Sequence, residues 1–241
     1  MKNRLHLACL ALLMASLTAP ALRAEETLWN VTFTDLKPGE APKEAPFVAP
    51  SANPQRVTTD AQDTLAGASN VGALPSALLF TKGGSGHYLP ALIFKGTTPI
   101  TSGVITVKWD LAFDKVTPGA DHPVTVLMAF PFINGKGGME FIPLISCSGA
   151  NDLFLGGAGF AKNAKPLAIK IGDVAHLKAV LDLNQHTFQL FLNDIPWTEP
   201  EHDDAKFASF LGFTIRDGTA LGGNNGEAFT VGIANLLITH G

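Results

Sequence analysis

The densest group of side chains that could do chemistry is the acidic run at 199–204, which reads Glu-Pro-Glu-His-Asp-Asp. Calcium in proteins is bound by about six to eight oxygen atoms, mostly from carboxylates and carbonyls. Glu201, Asp203 and Asp204 are therefore candidate calcium ligands. A run of like charge is more often a solvated loop, and we favour that interpretation here. Calcium is the one cofactor that the sequence suggests.

A second group combines aromatic rings with amide and carboxylate side chains, a set that suits sugar binding. Rings stack on the apolar faces of pyranoses, while polar neighbours orient the hydroxyl groups. Trp197 lies just after Asn193 and Asp194, in a predicted loop beside the acidic run. His87 and Tyr88 follow a glycine-rich turn and form the second aromatic candidate. The structural alternative, which we favour for Trp197, is a lid over the edge of the core.

Motifs that would identify a catalytic or metal centre are missing from the sequence. It has no Gly-x-Ser-x-Gly nucleophile elbow, and its glycine-rich turn at 83–86 lacks the Gly-Lys-Ser/Thr ending of a phosphate-binding loop. The histidines show no His-x-x-x-His spacing and no Cys-x-x-Cys pair accompanies them, which argues against a zinc site. We therefore assign no catalytic residue.

Residues 1–24 have the parts of a secretory signal peptide. Lys2 and Arg4 are basic, the segment Leu5–Leu17 is mostly apolar, and small residues allow cleavage after Ala24. The apolar run is shorter than the roughly 20 residues that a membrane-spanning helix needs. We therefore expect cleavage, a secreted or periplasmic location at the cell envelope, and no transmembrane segment in the mature chain.

Removal of this segment changes the composition of the chain. It leaves 217 residues with 14 basic and 21 acidic side chains, a formal charge of −7. Such a chain has no basic surface for nucleic acid. Cys147 becomes the single cysteine, so no internal disulfide can form. Its apolar surroundings in the sequence predict a buried, unreactive thiol, with an intermolecular or catalytic thiol as the alternative.

Short strands separated by turns account for most of the mature sequence. Apolar residues alternate with others at 105–113, as in a strand with one buried face. Two more alternating runs, 176–183 and 187–193, flank a short connection at Asn184–Gln185 and predict a β-hairpin. Eight further runs have the composition of strands: Leu28–Thr34, Ala77–Thr81, Leu89–Lys95, Val124–Phe132, Met139–Ile145, Leu153–Phe160, Phe210–Arg216 and Ala228–Thr239.

About eleven short strands without alternating helices predict a single all-β sandwich over residues 25–241. The segment 37–54 has a proline at every fourth residue from 38 to 54. We expect this segment to be an extended loop within the domain.

Four features of the strand order carry a resemblance to a known superfamily. A first strand at 28–34 runs into a Pro/Gly loop, and a central strand follows Ser102-Gly103. The predicted hairpin ends in Asn193-Asp194, and the closing strand contains Ala234-Asn235. This order resembles the concanavalin A-like, laminin G-like domains of secreted bacterial proteins, in which the hairpin commonly ends in Asn-Gly and the closing strand in Asp-Asn. The resemblance implies a two-sheet antiparallel jelly-roll sandwich.

Enzymes of that superfamily have recognisable site motifs, and this chain has none of them. Retaining glucanases carry Glu-x-Asp-x-(x)-Glu on one strand, because their acid and nucleophile must lie about 5 Å apart. Alginate-lyase jelly rolls would show Gln-Ile-His and a strand rich in Tyr and Lys, whereas Tyr88 is the single tyrosine here.

The sequence therefore favours a secreted, non-catalytic β-sandwich that binds a glycan or a protein of the cell envelope. The first alternative is a polysaccharide-active hydrolase or lyase of the same fold, with an unfamiliar site of Asp, Glu or His on the concave sheet. The second alternative is a structural or assembly protein, for which a large exposed apolar patch would be the sign.

Overall fold

The computed structural model describes residues 25–34, 37, 47–48, 64–68, 73–74, 77–82, 92–117, 126–133, 139–148, 153–157, 165, 167–217 and 228–241. Every regular element in these ranges is a β-strand, numbered in chain order: β1 Glu26–Val31, β2 Phe47–Val48, β3 Thr64–Ala68, β4 Ala77–Lys82, β5 Leu92–Ile100, β6 Val104–Thr117, β7 Val126–Ile133, β8 Met139–Ser148, β9 Leu153–Gly157, β10 Leu167–Ile169, β11 Val174–Asp182, β12 Thr187–Leu192, β13 Ile195–Pro196, β14 Glu201–His202, β15 Phe210–Asp217 and β16 Ala228–His240. Among these described residues, no helix is long and apolar enough to cross a membrane.

The strands form two antiparallel sheets. Sheet A has the order β13-β12-β11-β6-β16-β4-β3, with β14 beside β12 and β1 beside β16. Sheet B has the order β10-β9-β8-β7-β15-β5-β2. The prediction of an all-β sandwich is therefore confirmed.

The residues of strand β6 alternate between the buried face and the outer face of sheet A. Its odd-numbered residues from Ile105 to Phe113 are buried, because side chains alternate between the faces of a strand. They pack between the sheets, where the ring centroid of Trp109 lies 4.9 Å from that of Phe213 on β15. Lys108 and Asp110 have the opposite phase and lie on the outer face of sheet A.

A bulge interrupts the pairing of β16 with β6. The register of the two strands shifts between Ala234 and Leu237. Within this bulge Asn235 is exposed and has a left-handed backbone with φ of 51°. Asparagine tolerates this conformation better than most residues, and bulges commonly turn a side chain in a new direction.

Most of the predicted strands are confirmed, with changes at their ends. The hairpin pairs β11 with β12 from Leu177↔Leu192 to Asp182↔Thr187. Strand β5 continues to Ile100 instead of ending at Lys95, and its pairing with β15 shifts register between Phe210 and Gly212. Sequence reasoning also missed five short strands, β2, β3, β10, β13 and β14, which are two to five residues long and have little period of their own.

Some of the sequence predictions concern residues outside the described ranges. The predicted signal peptide, residues 1–24, lies outside them, as does most of the segment 37–54. Cys147 lies on β8, opposite Val126 of β7 and Leu155 of β9. Its unreactive thiol stays a prediction.

Candidate functional site

Asp110 is the centre of a polar network on the outer face of sheet A. It lies between His176 of β11 and Ala234 of β16 in the strand register. One carboxylate oxygen lies 2.6 Å from Nδ1 of His176, and the other accepts a hydrogen bond of 2.7 Å from Nδ2 of Asn235. The Asp110 side chain is only 16% exposed, whereas that of His176 is 63% exposed. The network thus fixes a largely buried carboxylate beneath an accessible imidazole.

The contact with Asp110 determines which ring nitrogen of His176 is left for solvent or a ligand. An ionised carboxylate can only accept hydrogen bonds, so Nδ1 of His176 carries the proton and donates it. Within the described part of the chain, Nε2 has no hydrogen-bond partner. The imidazole therefore presents Nε2 to solvent or to a ligand, held in one orientation by the carboxylate behind it.

The turn between β12 and β13 lies beside this imidazole. Asn193 and Asp194 both have left-handed backbones, with φ of 51° and 62°, as a tight hairpin turn requires. The backbone N–H of Asn193 donates to the carbonyl of His176 at 2.8 Å, and the backbone N–H of His176 donates to the side-chain amide oxygen of Asn193 at 3.4 Å. These bonds attach the turn to the strand that carries the imidazole.

Lys178 links the same turn to the sheet. Its Nζ donates to the Asp194 carboxylate at 3.0 Å and lies 4.2 Å from the centroid of the Phe191 ring. Lys108 lies directly opposite Lys178 on β6. The pKa of Asp194 is lowered mainly by the hydrogen bond and charge of Lys178, and further by the charges of Lys108 and His176.

We call this set of side chains the His176 site. Its members are Lys108, Asp110, His176, Lys178, Asn193, Asp194 and Asn235. Sequence reasoning selected Asn193 and Asp194 and missed the other five. The alternation of β6 and β11 puts Asp110 and His176 on polar faces, but it cannot show that these faces meet.

The Trp197 indole makes its contacts within the protein. Its Nε1 donates to the carbonyl of Lys165 at 3.0 Å, and its half-buried ring packs against the core. These contacts favour the hypothesis that Trp197 covers the edge of the core over the hypothesis that its ring is open for sugar stacking. A role of Trp197 in ligand stacking stays a prediction, and so does that of His87 and Tyr88, which lie outside the described residues.

The three acidic calcium candidates have different surroundings. Glu201 belongs to β14 and lies opposite Phe188. The Asp203 carboxylate accepts backbone hydrogen bonds of 3.0 Å from Ala205 and Lys206. In the described ranges no group of three or more potential ligands could hold a metal ion. Calcium at this loop stays a prediction.

Asp204 forms a second polar cluster with two histidines. One carboxylate oxygen lies 3.0 Å from Nδ1 of His186 and 3.3 Å from Nε2 of His202. The hydrogen bond with His186, followed by the charge of His202, lowers the pKa of Asp204. This cluster ties the acidic loop to the turn that precedes β12.

Sheet B carries few groups suited to catalysis. Its described strands contain no histidine and no tyrosine, and their charged residues are Lys95, Glu140, Arg216 and Asp217. Lys95 on β5 and Glu140 on β8 are separated by β15 and β7, which corresponds to about 14 Å across the sheet. Among the residues whose side chains the structure describes, the polar groups that come together lie on sheet A.

Comparison with solved structures identifies the architecture. The chain is similar to the marine PL7 alginate lyase AlyA1 from Zobellia galactanivorans, at 15% identity and a TM-score of 0.52, covering 68% of this chain and 78% of that one. The protein has the concanavalin A-like jelly-roll fold. The resemblance inferred from the sequence is therefore confirmed at the level of the fold.

Two further structures are similar to this jelly roll. Alginate lyase AlgAT5 from Polysaccharide Lyase family 7 has 16% identity and a TM-score of 0.47, over 88% of this chain and 94% of its own. A sialidase has 13% identity and a TM-score of 0.47, and the jelly roll spans only 16% of that longer chain. No family model and no curated protein matches the sequence.

Proposed function

We propose that this protein is a secreted, non-catalytic module that binds a glycan through the His176 site. The observation that carries the proposal is the hydrogen-bonded row from Asn235 through Asp110 to His176. Specific recognition of a polar ligand needs a few donors and acceptors that are fixed in advance. The bulge and the buried carboxylate hold the accessible imidazole in place before any ligand arrives.

Two further observations support a glycan as the ligand. The chain has the fold of a PL7 alginate lyase, which supports a glycan-related role. The site also brings ammonium, amide, imidazole and carboxylate groups together on the outer face of sheet A, as hydroxyl-rich ligands require. The predicted signal peptide, residues 1–24, would place the module outside the cytoplasm, where envelope glycans and proteins are its possible partners.

A glycan array tests this proposal directly. The full-length gene product, recovered after processing by its host, is applied to immobilised polysaccharides, and Kd is measured for each one bound. His176→Ala should weaken binding, whereas His202→Ala, another exposed histidine paired with an aspartate, should leave it unchanged. Absence of binding to every polysaccharide would refute the proposal and favour an envelope protein as the partner.

A hydrolase or lyase is the second candidate, and the Asp110–His176 pair is the observation that favours it. In many hydrolases a carboxylate bound to one imidazole nitrogen orients the other nitrogen as a general base. Incubation of the protein with the same polysaccharides, followed by chromatography of the products, distinguishes the two candidates. Release of oligosaccharides that depends on His176 would show that the protein is an enzyme.

A further inference from the structure

Every large apolar side chain that is exposed in the described part of the chain lies at one edge of the sandwich. These are Leu167 of β10, Ile171 at the corner where the chain leaves β10 for β11, and Ile195 of β13, at 39%, 55% and 68% exposure. Single apolar side chains are common on surfaces, whereas a group of them in one place marks an interaction site. The group therefore indicates a surface that contacts another molecule.

The end strands of the two sheets meet at this edge. Strand β13 is the end strand of sheet A, and β10 is the end strand of sheet B. The indole Nε1 of Trp197, directly after β13, donates at 3.0 Å to the carbonyl of Lys165, just before β10. Trp197 and Ile169 of β10 also pack against the same buried core. We call this surface the β10–β13 edge, with the exposed members Lys165, Leu167, Lys170, Ile171, Ile195 and Glu199.

The exposure of Ile195 follows from the register of sheet A. One row of paired residues crosses β6, β11, β12 and β13 and consists of Trp109, Leu177, Leu192 and Ile195. Paired residues lie on the same face of a sheet, so the whole row belongs to the face that packs against sheet B. Trp109 and Leu177 are buried, whereas Ile195 is exposed. The apolar inner face of sheet A thus continues past the core.

Prolines interrupt the backbone donors that an added strand would need at this edge of sheet A. Pro196 lies in β13, and Pro200 lies directly before β14. Proline has no backbone N–H, and it is a common device against strand addition at sheet edges. A partner of this edge must therefore bind chiefly through side chains.

The charges of the edge differ between the two sheets. Lys165 and Lys170 flank β10 of sheet B, and Glu199 lies between β13 and β14 of sheet A. All three are exposed, and none of them forms an ion pair within the described part of the chain. Asp173 lies farther along the turn to β11, where the chain has left the edge. These three charges are therefore available to a partner.

The positions of Lys170 and Glu199 match a two-fold axis. Lys170 lies near the start of β11, because only the turn at 171–173 separates them. Glu199 lies near the end of β11, because β14 pairs with the part of β12 that lies opposite Leu181 and Asp182. A two-fold axis perpendicular to the edge exchanges these two ends and also exchanges sheet A with sheet B. It places Lys170 of one copy beside Glu199 of the other.

We propose that the β10–β13 edge binds a second copy of this chain in a symmetric dimer. Leu167 and Ile195 of both copies form its apolar centre, and two ion pairs between Lys170 and Glu199 flank that centre. The members of the edge are few compared with the roughly 20–30 residues a side of a standard interface, so we expect a dissociation constant of about 1–100 µM. This dimer does not depend on whether the His176 site binds a glycan.

Sedimentation velocity of the full-length gene product, recovered after processing by its host, measures the association. Ile195→Asp places a charge in the apolar centre and changes both halves of a symmetric interface. It should raise the dissociation constant of the dimer at least about tenfold, which corresponds to about 1.4 kcal/mol. Glu26→Lys, at an exposed glutamate on β1, is the control and should leave the constant unchanged. Circular dichroism checks that each variant is folded.

Charge reversal tests the two-fold arrangement. Lys170→Glu brings two acidic pairs together, and Glu199→Lys brings two basic pairs together, so each variant alone should associate about tenfold more weakly. An equimolar mixture of the two variants should restore the dimer. The first variant keeps Glu199 and the second keeps Lys170, so both contacts of the mixed dimer again join opposite charges.

Three results would overturn this inference. A chain that is monomeric at the highest concentration would leave the edge to a different partner. A dimer that neither Ile195→Asp nor charge reversal weakens would lie on another surface. Failure of the mixed variants to restore association would contradict the two-fold arrangement. None of these results would change the outcome of the glycan array, which tests the His176 site.

Discussion

Replacement of Asn235 separates the two reasons for which the bulge needs an asparagine. The residue has a left-handed backbone with φ of 51°, and its Nδ2 donates to the Asp110 carboxylate at 2.7 Å. Asn235→Gly keeps a residue that adopts this backbone without strain but removes the hydrogen bond. Asn235→Ala removes the hydrogen bond and also forces a Cβ-bearing residue into the left-handed region.

The expected losses of stability can be estimated from these contacts. A hydrogen bond to a charged group contributes about 1.5–3 kcal/mol. Water can replace part of this bond because Asp110 is 16% exposed, so we expect about 2 kcal/mol for Asn235→Gly. The left-handed backbone costs alanine about 1–2 kcal/mol. The greater freedom of glycine in the unfolded chain offsets part of that difference, which leaves Asn235→Ala about 1 kcal/mol less stable than Asn235→Gly.

Thermal unfolding measures both effects. For a domain of about 150–250 residues, 1 kcal/mol corresponds to about 2–4 °C in Tm. We expect Tm to fall by about 4–8 °C in Asn235→Gly and by about 6–12 °C in Asn235→Ala. Asn30→Ala, an exposed asparagine on the neighbouring strand β1, is the matched control and should change stability by less than about 0.5 kcal/mol.

Two results would contradict this reasoning. Equal Tm values for the glycine and alanine variants would mean that the left-handed backbone of Asn235 does not limit stability. Unchanged Tm in both variants would mean that the bond to Asp110 is not formed in solution. In the latter case the Asp110 carboxylate would lose one of the two side-chain contacts that position it against His176.

Three further predictions concern other parts of the fold. Phe207 is fully buried, so Phe207→Ala should cost about 3–5 kcal/mol in urea unfolding; a loss below about 1 kcal/mol would place this ring outside the core. Gly103 has φ of 89°, and a Cβ there would lie 2.5 Å from the carbonyl oxygen of Gly241. Gly103→Ala should therefore lower the free energy of unfolding by about 3 kcal/mol. A Tm like that of the wild type would contradict this close approach. The pKa of Asp204 is lowered from 3.8, chiefly by the hydrogen bond with His186. The stability that the Asp204 carboxylate adds to the folded protein is therefore complete above pH 3.8 and is lost as the pH falls through the lowered pKa. Asp204→Asn should therefore be less stable than the wild type at about pH 5. This difference should shrink as the pH falls below 3.8, and a constant difference in Tm would show that these hydrogen bonds are not the cause.

Calcium binding at the acidic loop is tested by the same measurement. If Glu201, Asp203 and Asp204 hold calcium, Tm should rise when the ion is added and fall again with a chelator. The hydrogen bonds that Asp203 already accepts from Ala205 and Lys206 favour the alternative of a solvated loop. Identical Tm values with and without chelator would exclude calcium as a stabilising ligand here.

The sequence predicted those parts of the site that depend on neighbouring residues. Asn193 and Asp194 were selected because their types favour a tight turn, and the structure gives both of them left-handed backbones. Asp110 and His176 could be assigned only to polar faces of their strands. Their pairing joins positions 66 residues apart, and Asn235 lies 125 residues from Asp110. No local pattern specifies such contacts, because they depend on which strands pair and in which register.

The acidic run shows the opposite case, because its carboxylates are close in sequence but bond to different partners in the folded chain. Its residues are close in sequence and have the right chemistry for calcium. In the folded chain, however, Asp203 accepts backbone N–H groups and Asp204 pairs with His186 and His202. The geometry of a loop is decided by the hydrogen bonds that its backbone needs, and side-chain type alone does not reveal them.

The sequence by itself determined that this protein is an all-β sandwich and which face of each long strand is buried. It could do so because a strand alternates its side chains with a period of two, so the pattern is local. Only the tertiary structure decided that β6 lies between β11 and β16 and that a bulge turns Asn235 towards Asp110. Those choices arise from pairing and packing over long distances in the chain, and they bring the His176 site together.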